Sequence, residues 1–309
     1  MKKEFDEFRE YGFVIESSST WSTPSFVMKK KNGEYRIVTN FRYLNLQLVP
    51  VMFPLPLMSD LKMVAANETI FSKFDYVKAF YSIGVREKDW HLLCTGTSFG
   101  SFLYTVVPIG LTTSPSVMTR CMNALFITHI RSSYYAYHKE RMPEGNYVFC
   151  FVDNIILATE SEELHHKIID VIFYICTQYG LTLKPGKCAT GYDCIEYLSN
   201  MVSRKATWPT PHRVKALANM ALPTTVTELR SFLDPMGFVR TFTPHYSQVS
   251  HDLEHLTGCL TRREAQRTPV QWTKAAVLVF LKIKHKLIHF AYNYIIDAEA
   301  PLFISADSS

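Results

Sequence analysis

The sequence predicts an α+β fold, and three local patterns carry that prediction. SFVMKKK and EYRIVT flank Asn32-Gly33, a pair suited to the two-residue turn of a β-hairpin, where both central residues take positive φ. Alternating apolar and aromatic runs recur at 70–76, 101–107 and 147–157 in the manner of strands. Helix-like segments run between these strands, and the plainest is at 161–179.

In chain order, the basic hairpin comes first. With Asn32-Gly33 as a two-residue loop, Lys29 lies opposite Arg36 and shares its face, while Lys30 lies opposite Tyr35. The strand-like runs follow. In the 161–179 segment, Thr159 and Ser161 offer N-caps with glutamates nearby, and Leu164, Ile168, Ile172, Ile175 and Tyr179 form one stripe. Gly180 can stop that helix, which is expected beneath the sheet. Beyond Trp208, Pro209 and Pro211 precede amphipathic patterns at about 212–220, 226–240 and 273–290. A boundary near residue 205 into a helical subdomain follows.

Composition narrows the class. A chain of 309 residues with 47% hydrophobic content can bury a substantial core, in one large domain or two to three subdomains. Net charge of +5 and a pI near 8.7 suit a polyanionic partner, and equally suit a solvated basic surface. The seven cysteines are scattered, with no C-x-x-C pair, which points to a reducing compartment. The start is charged and lacks an apolar h-region, and the most hydrophobic later stretch, 275–296, is interrupted by Lys282, Lys284 and Lys286. Neither secretion nor membrane insertion is expected.

Two aspartates stand out against their surroundings. Asp75 follows a strand-like run in FSKFDYVKAFYSI, where an aspartate can also serve as an ordinary helix cap. Asp153 interrupts the apolar run YVFCFVDNIILAT, where it can also be a plain turn residue. Carboxylates converging from separate strands are what two hard divalent cations require, because such ions take oxygen ligands and their charge must be neutralised.

The order of segments around these aspartates resembles the reverse transcriptases of gypsy-type LTR retrotransposons and retrovirus-like Pol polyproteins, over about residues 5–305. WSTPSFVMKKKNGEYRIVTNFRYLN resembles the fingers motif. FPLPLMSDL, FSKFDYVKAFYSI, FLYTVVPIGLTTSPSVMTRCMN, FVDNIILATESEELHHKI, YGLTLKPGKC and IEYLSNMVS follow in the family's order. The resemblance implies a right-hand polymerase fold of fingers, palm and thumb, with a ferredoxin-like antiparallel palm sheet packed on helices. It implies fingers and palm over 1–204, a helical thumb over 205–262, and a connection over 263–309 that ends at the first strand of an RNase H-like domain.

It also implies an RNA-directed and DNA-directed DNA polymerase, using Mg²⁺ or Mn²⁺. The expected partners are an RNA template, a DNA primer/template and dNTPs, with a homodimer or other Pol domains as further partners, and no membrane. The expected location is intracellular, either cytoplasmic in a virus-like particle or nuclear. Carried over by position, Asp75 and Asp153 match metal ligands, and Asn154 stands where the family has a second hairpin aspartate. Phe80 matches the aromatic residue that excludes a ribose 2′-hydroxyl. Arg36 and Lys30 match triphosphate-binding positions, Lys29 remains an alternative on hairpin geometry, and Lys187 matches a basic residue near the active site. Gly110 would let backbone approach nucleotide and template, Pro115 begins the next helix, and Arg42 resembles a template-backbone contact. Tyr197, Leu198 and Ser199 resemble the loop that grips the primer end, with Ser199 in place of a glycine.

Several positions depart from the family pattern. Asn154 removes a formal charge from the metal site, which weakens metal binding and supports an alternative reading as a catalytically inactive nucleic-acid-binding module. Asn40 and Lys78 stand at places often acidic, Ile109 where a larger side chain is usual, and Pro235 inside a thumb helix motif, where it costs a hydrogen bond. The stretch 129–146 is longer than the family's connection and reads as a surface insertion. A further reading takes His251, His255 and Cys259, spaced by four, as zinc ligands on one helix face.

Overall fold

The computed structural model describes residues 1–29, 33, 35–51, 53, 54, 56–65, 68–204, 206–239, 246–258, 260–289, 293 and 294. Lys30, Cys259 and the 295–309 segment, where an RNase H-like strand is expected, lie outside the described residues. The chain forms two compact units, Met1–Val64 with Ser72–Gly191, and Ala65–Phe71 with Tyr192–Ser309.

Up to residue 192 the elements in chain order are α1 (Lys2–Glu10), β1 (Val14–Glu16), β2 (Thr23–Lys29), β3 (Tyr35–Thr39), α2 (Arg42–Asn45), α3 (Met58–Ala65) and β4 (Ile70–Asp75). They continue with β5 (Cys94–Thr97), β6 (Gly100–Tyr104), α4 (Ser114–Asn123), α5 (Ile130–His138), β7 (Val148–Phe151), β8 (Asn154–Thr159), α6 (Glu162–Tyr179) and β9 (Ala189–Tyr192). One sheet has the order β1-β6-β5-β2-β3 and another the order β7-β8-β4-β9. The second sheet positions the candidate site. Its inner face is filled by Phe74, Cys150, Ile155 and Leu157, which pack against Met118 and Met122 of α4 and Ile168, Ile172 and Ile175 of α6.

Helix α6 forms where the stripe and its caps place it. The Ser161 side chain accepts a hydrogen bond from the Leu164 amide, and Gly180 ends the helix at φ 64°. Tyr179 departs from the expected stripe and is 58% exposed. The helix has already delivered its last buried positions at Ile175 and Cys176.

The hairpin register corrects the sequence expectation. Lys29 pairs with Tyr35 and Met28 with Arg36, where Asn32-Gly33 as a two-residue loop would set Lys29 opposite Arg36. One residue of slip exchanges the faces of a strand, so Lys29 no longer shares a face with Arg36. The 129–146 stretch is also more than a surface insertion. It contains α5, whose Ile130 and Tyr134 are buried, and Met142 joins the same core. Arg131 folds the following segment back by donating to the carbonyl oxygens of Met142, Pro143 and Gly145.

The later elements are β10 (Cys194–Tyr197), β11 (Asn200–Ser203), β12 (Ala206–Pro209), α7 (Pro211–Ala218), α8 (Val226–Val239), α9 (Tyr246–His255), α10 (Arg262–Arg267), α11 (Lys274–His289) and β13 (Asn293–Tyr294). The strands form one antiparallel sheet in sequence order. Leu217, Phe232, Leu253, Ala276, Phe280 and Ile283 make a helical core. The backbone of α8 continues through Pro235 despite the missing donor. Among the described residues no helix is long and apolar enough to cross a membrane, and the six described cysteines are free thiols.

Candidate active site

Asp75 is the last residue of β4, fixed from behind by buried Phe71, Ser72 and Phe74. Its carbonyl accepts from the Lys184 amide at 2.8 Å, and the next residues are tied to the same segment by Val77 N–H donating to the Thr182 carbonyl. Asp153 lies in the two-residue turn between β7 and β8, where Phe151 pairs with Asn154. That turn holds Val152 at φ 56°. A β-branched residue in the left-handed region is a genuine outlier, and strain of this kind collects at functional sites.

β4 and β8 are neighbours in the sheet, so the end of one strand and the start of the other bring Asp75, Asp153 and Asn154 together. Lys187 joins them from the 3₁₀ turn Pro185–Lys187, its Nζ 3.1 Å from Asp75 Oδ2. Asn154 Nδ2 donates to Asp153 Oδ1 at 3.1 Å, so the amide braces the carboxylate where a second aspartate would repel it.

Burial pushes the Asp153 carboxyl above the usual carboxylate range, and the Asp75 charge pushes it further the same way. A hydrogen bond from its own backbone and the Lys187 cation oppose the shift. The shift is chiefly an effect of burial, with the Asp75 charge a smaller contribution in the same direction. The donor set is hard oxygen: two carboxylates and the Asn154 amide oxygen. It suits magnesium's class of ion, which is commonly bound through one or two carboxylates with waters and substrate phosphates completing the shell. Among the described residues no group of three His, Cys, Asp or Glu side chains converges as a metal cage. With an amide at position 154, the formal negative charge offered to divalent cations at this patch comes from Asp75 and Asp153. His251 and His255 on α9 do approach each other, Nε2 to Nε2 at 3.1 Å, while Cys259 lies outside the described residues.

The remaining candidates fall in separate places. Phe80 sits in the 3₁₀ turn Ala79–Ser82, half-buried against the core beneath the β7-β8-β4-β9 sheet. Gly110 has φ 112°, and a Cβ there would come 3.3 Å from the Thr39 carbonyl oxygen. The positive φ alone makes a side chain at this position strained, and the tight approach adds to it. Pro115 is in the first turn of α4, Arg42 is exposed at the start of α2, and Lys29 is exposed at the end of β2. Arg36 is in the backbone of β3. In the second unit, Leu198 at φ 49° and Ser199 at φ 61° form the turn between β10 and β11, with Tyr197 buried.

Asn45 is absent from the sequence reading and emerges only in three dimensions. Its Nδ2 donates to the Gly110 carbonyl at 2.9 Å and its Oδ1 accepts from the Thr112 amide at 3.0 Å. It clamps the loop ahead of α4 from 65 residues away, and no local pattern marks it.

Comparison with known proteins places this geometry. The family model described as reverse transcriptase (RNA-dependent DNA polymerase) matches residues 28–202. The chain is 25% identical to the retrovirus-related Pol polyprotein from transposon 297 of Drosophila melanogaster over all of its length, and spans 28% of that protein. It is 27% identical to the transposon Tf2-7 polyprotein of Schizosaccharomyces pombe over 83% of its length, spanning 18% of that protein. Among solved structures it is similar to the foamy viral protease-reverse transcriptase in complex with dsDNA, with TM-score 0.80 and 21% identity over 97% of this chain and 59% of that one. The same viral protein in complex with an RNA/DNA hybrid gives TM-score 0.77 and 20% identity over 93% of this chain and 36% of that one. These structural likenesses establish an α+β fold of the reverse transcriptase kind. With a family match that runs from the basic hairpin through both aspartates into β11, the chain belongs to the reverse transcriptase (RNA-dependent DNA polymerase) family.

Proposed function

We propose that this chain is the polymerase part of a retrotransposon Pol polyprotein, an RNA-directed and DNA-directed DNA polymerase whose turnover is weakened by Asn154. The observation that carries this reading is the convergence of Asp75, from the end of β4, and Asp153, from the β7–β8 turn, on one patch also occupied by Lys187. Asp75 and Asp153 would hold Mg²⁺, or Mn²⁺ in its place. When bound, the ion lowers the pKa of the primer 3′-hydroxyl and stabilises charge on the leaving pyrophosphate.

The chain's own groups supply the rest. Lys187 offsets the Asp75 charge in the absence of substrate and offers a cation to phosphate oxygens. Asn154 orients Asp153 through its amide hydrogen bond. Phe80, pinned against the core, forms a wall against a ribose 2′-hydroxyl. Arg36 and Lys30 are assigned to the triphosphate of the dNTP, while Lys29 lies on the strand face opposite to Arg36. Gly110, Pro115 and Arg42 are assigned to nucleotide and template, and Tyr197, Leu198 and Ser199 to the primer end. On this reading 1–204 are fingers and palm, 205–262 thumb and 263–309 connection, acting inside the cell on RNA template and DNA primer/template with other Pol domains or a second copy.

Asn154 favours a second reading, a nucleic-acid-binding module that uses phosphate contacts and helix shape without chemistry. Primer extension on RNA and DNA templates with Mg²⁺ or Mn²⁺ separates the two. The polymerase reading expects slow extension by the wild type, none by Asp75→Ala, and a roughly 10- to 100-fold gain in Asn154→Asp, the scale on which disturbed metal-site partners act. Silence of both wild type and Asn154→Asp, with template–primer binding retained, establishes the second reading.

A further inference from the structure

Lys78 stands between Asp75 and Phe80 with φ 50° and ψ 39°. A lysine pays strain in the left-handed region, and such a conformation persists where its surroundings over-determine it. The surroundings here are three rings from the start of the chain. Lys78 Nζ lies 4.9 Å from the centroid of Tyr11, 5.1 Å from that of Phe8 and 5.9 Å from that of Phe13. An ammonium this close to several ring faces is attracted by their quadrupoles.

The same rings hold the other end of the turn. Phe13 stacks on Tyr81 at 5.4 Å with 14° between planes, Tyr11 stacks on Phe13 at 5.5 Å, and Phe8 meets Tyr81 at 5.0 Å. The Tyr81 amide donates to the Lys78 carbonyl at 2.8 Å, closing a loop from Lys78 through the rings to Tyr81 and back. Phe80 is the residue next to Tyr81 inside that loop. Asp75 is held independently, by Lys184 N–H to its carbonyl and by the bridge between Tyr76 and Leu183. The aromatic clamp therefore governs the Phe80 side of the turn and leaves the Asp75 side alone.

We propose that Lys78 is a positioning residue for Phe80, acting through its ammonium on the Phe8, Tyr11 and Phe13 rings, and that it tunes discrimination between deoxyribo- and ribonucleotides. This rests on the polymerase reading above, in which Phe80 meets the sugar. The clamp itself is independent of that reading, because it is a statement about which contacts hold one turn.

Two measurements on the full chain test it, with Lys78→Met, Lys78→Arg and Tyr11→Leu. Met keeps the stem and removes the charge, Arg restores the charge, and Tyr11 is exposed enough that its loss spares the core. In hydrogen exchange, Lys78→Met and Tyr11→Leu should speed the amides of 78–83 while leaving β7 and β8 unchanged, and Lys78→Arg should match the wild type. In primer extension on wild-type and Asn154→Asp backgrounds, Lys78→Met should reduce the dNTP-over-rNTP ratio of kcat/KM by about two- to fivefold, the size of an exposed cation–π contact. The kcat for dNTP should change less than that ratio, and Arg should restore discrimination. Unchanged exchange in both Lys78→Met and Tyr11→Leu overturns the clamp. Faster exchange with unchanged discrimination overturns the role at Phe80. Asp75→Ala extending like wild type, or silence in both backgrounds, overturns the polymerase reading and the sugar role with it, while the exchange result still decides the clamp.

Discussion

Lys187 Nζ stands 3.1 Å from Asp75 Oδ2, and its charge also lowers the pKa of Asp153 against the push from burial and from Asp75. One cation thus partly compensates two carboxylates. Replacing it in Lys187→Met should raise the Asp153 pKa further, as read by carbon NMR titration of the carboxyl. Because Lys187 is 57% exposed, the difference should shrink with added salt. An Asp153 titration that stays put or moves down on losing Lys187 contradicts this arrangement.

Asp153 works against the fold at neutral pH. Its folded pKa is raised, so its favourable contribution is present below the ordinary aspartate value and is lost as pH rises through the folded pKa. Asp153→Asn, which keeps an oxygen acceptor for Asn154 Nδ2, should melt at a higher temperature than wild type at pH 7 while abolishing primer extension. The melting difference should close as the pH is lowered through the carboxylate range. A lower melting temperature at pH 7 would contradict the electrostatic reading of the site.

Ser199 occupies φ 61° beside Leu198 at φ 49°, in a two-residue turn that glycine fits better. Ser199→Gly should stabilise the protein by about 1 kcal/mol, the cost of holding an ordinary residue in this region. Urea denaturation of the full chain checks this, and a variant of equal or lower stability rejects it.

His165 joins three strands from below. Its Nε2 is 2.7 Å from Ser72 Oγ and its Nδ1 is 2.7 Å from Thr159 Oγ1. Gly191 N–H donates to Ser72 Oγ, and Thr159 Oγ1 donates to the Ser161 carbonyl. A neutral ring satisfies the whole chain of bonds when Nδ1 donates to Thr159 and Ser72 donates to Nε2. Burial, and then repulsion from His166, lower its pKa from 6.5 to about 4. The folded state binds the proton more weakly, so this stability is complete above pH 6.5, declines as pH falls, and is gone below about 4. His165→Gln should cost about 1–3 kcal/mol at neutral pH, the range for disturbing buried hydrogen-bonding groups. The gap from wild type should narrow between pH 6.5 and 4 in denaturation experiments, and a gap independent of pH rejects the assignment.

What was legible in the sequence was local. The caps Ser161 and Gly180, the strand position of Asp75 and the hairpin-turn position of Asp153 each follow from a few neighbouring residues. The hairpin register was not legible, because Asn32-Gly33 names a favourable turn without fixing which residues pair beyond it. The burial of Tyr134 was hidden in a polar, tyrosine-rich stretch whose packing partners come from α6 and the sheet. Lys187 was legible as a basic turn residue, yet its contact with Asp75 spans 112 positions and exists only once β4 and the turn after α6 are folded together.

We propose that Asp75 and Asp153 share one divalent ion. Titration of Mn²⁺ followed by electron paramagnetic resonance, on wild type, Asp75→Ala, Asp153→Ala and the double variant, tests it most directly. Each single substitution should remove saturable binding, and the second should add nothing further. Saturable binding that survives either single substitution, or losses that simply add, would show that these two carboxylates do not share an ion.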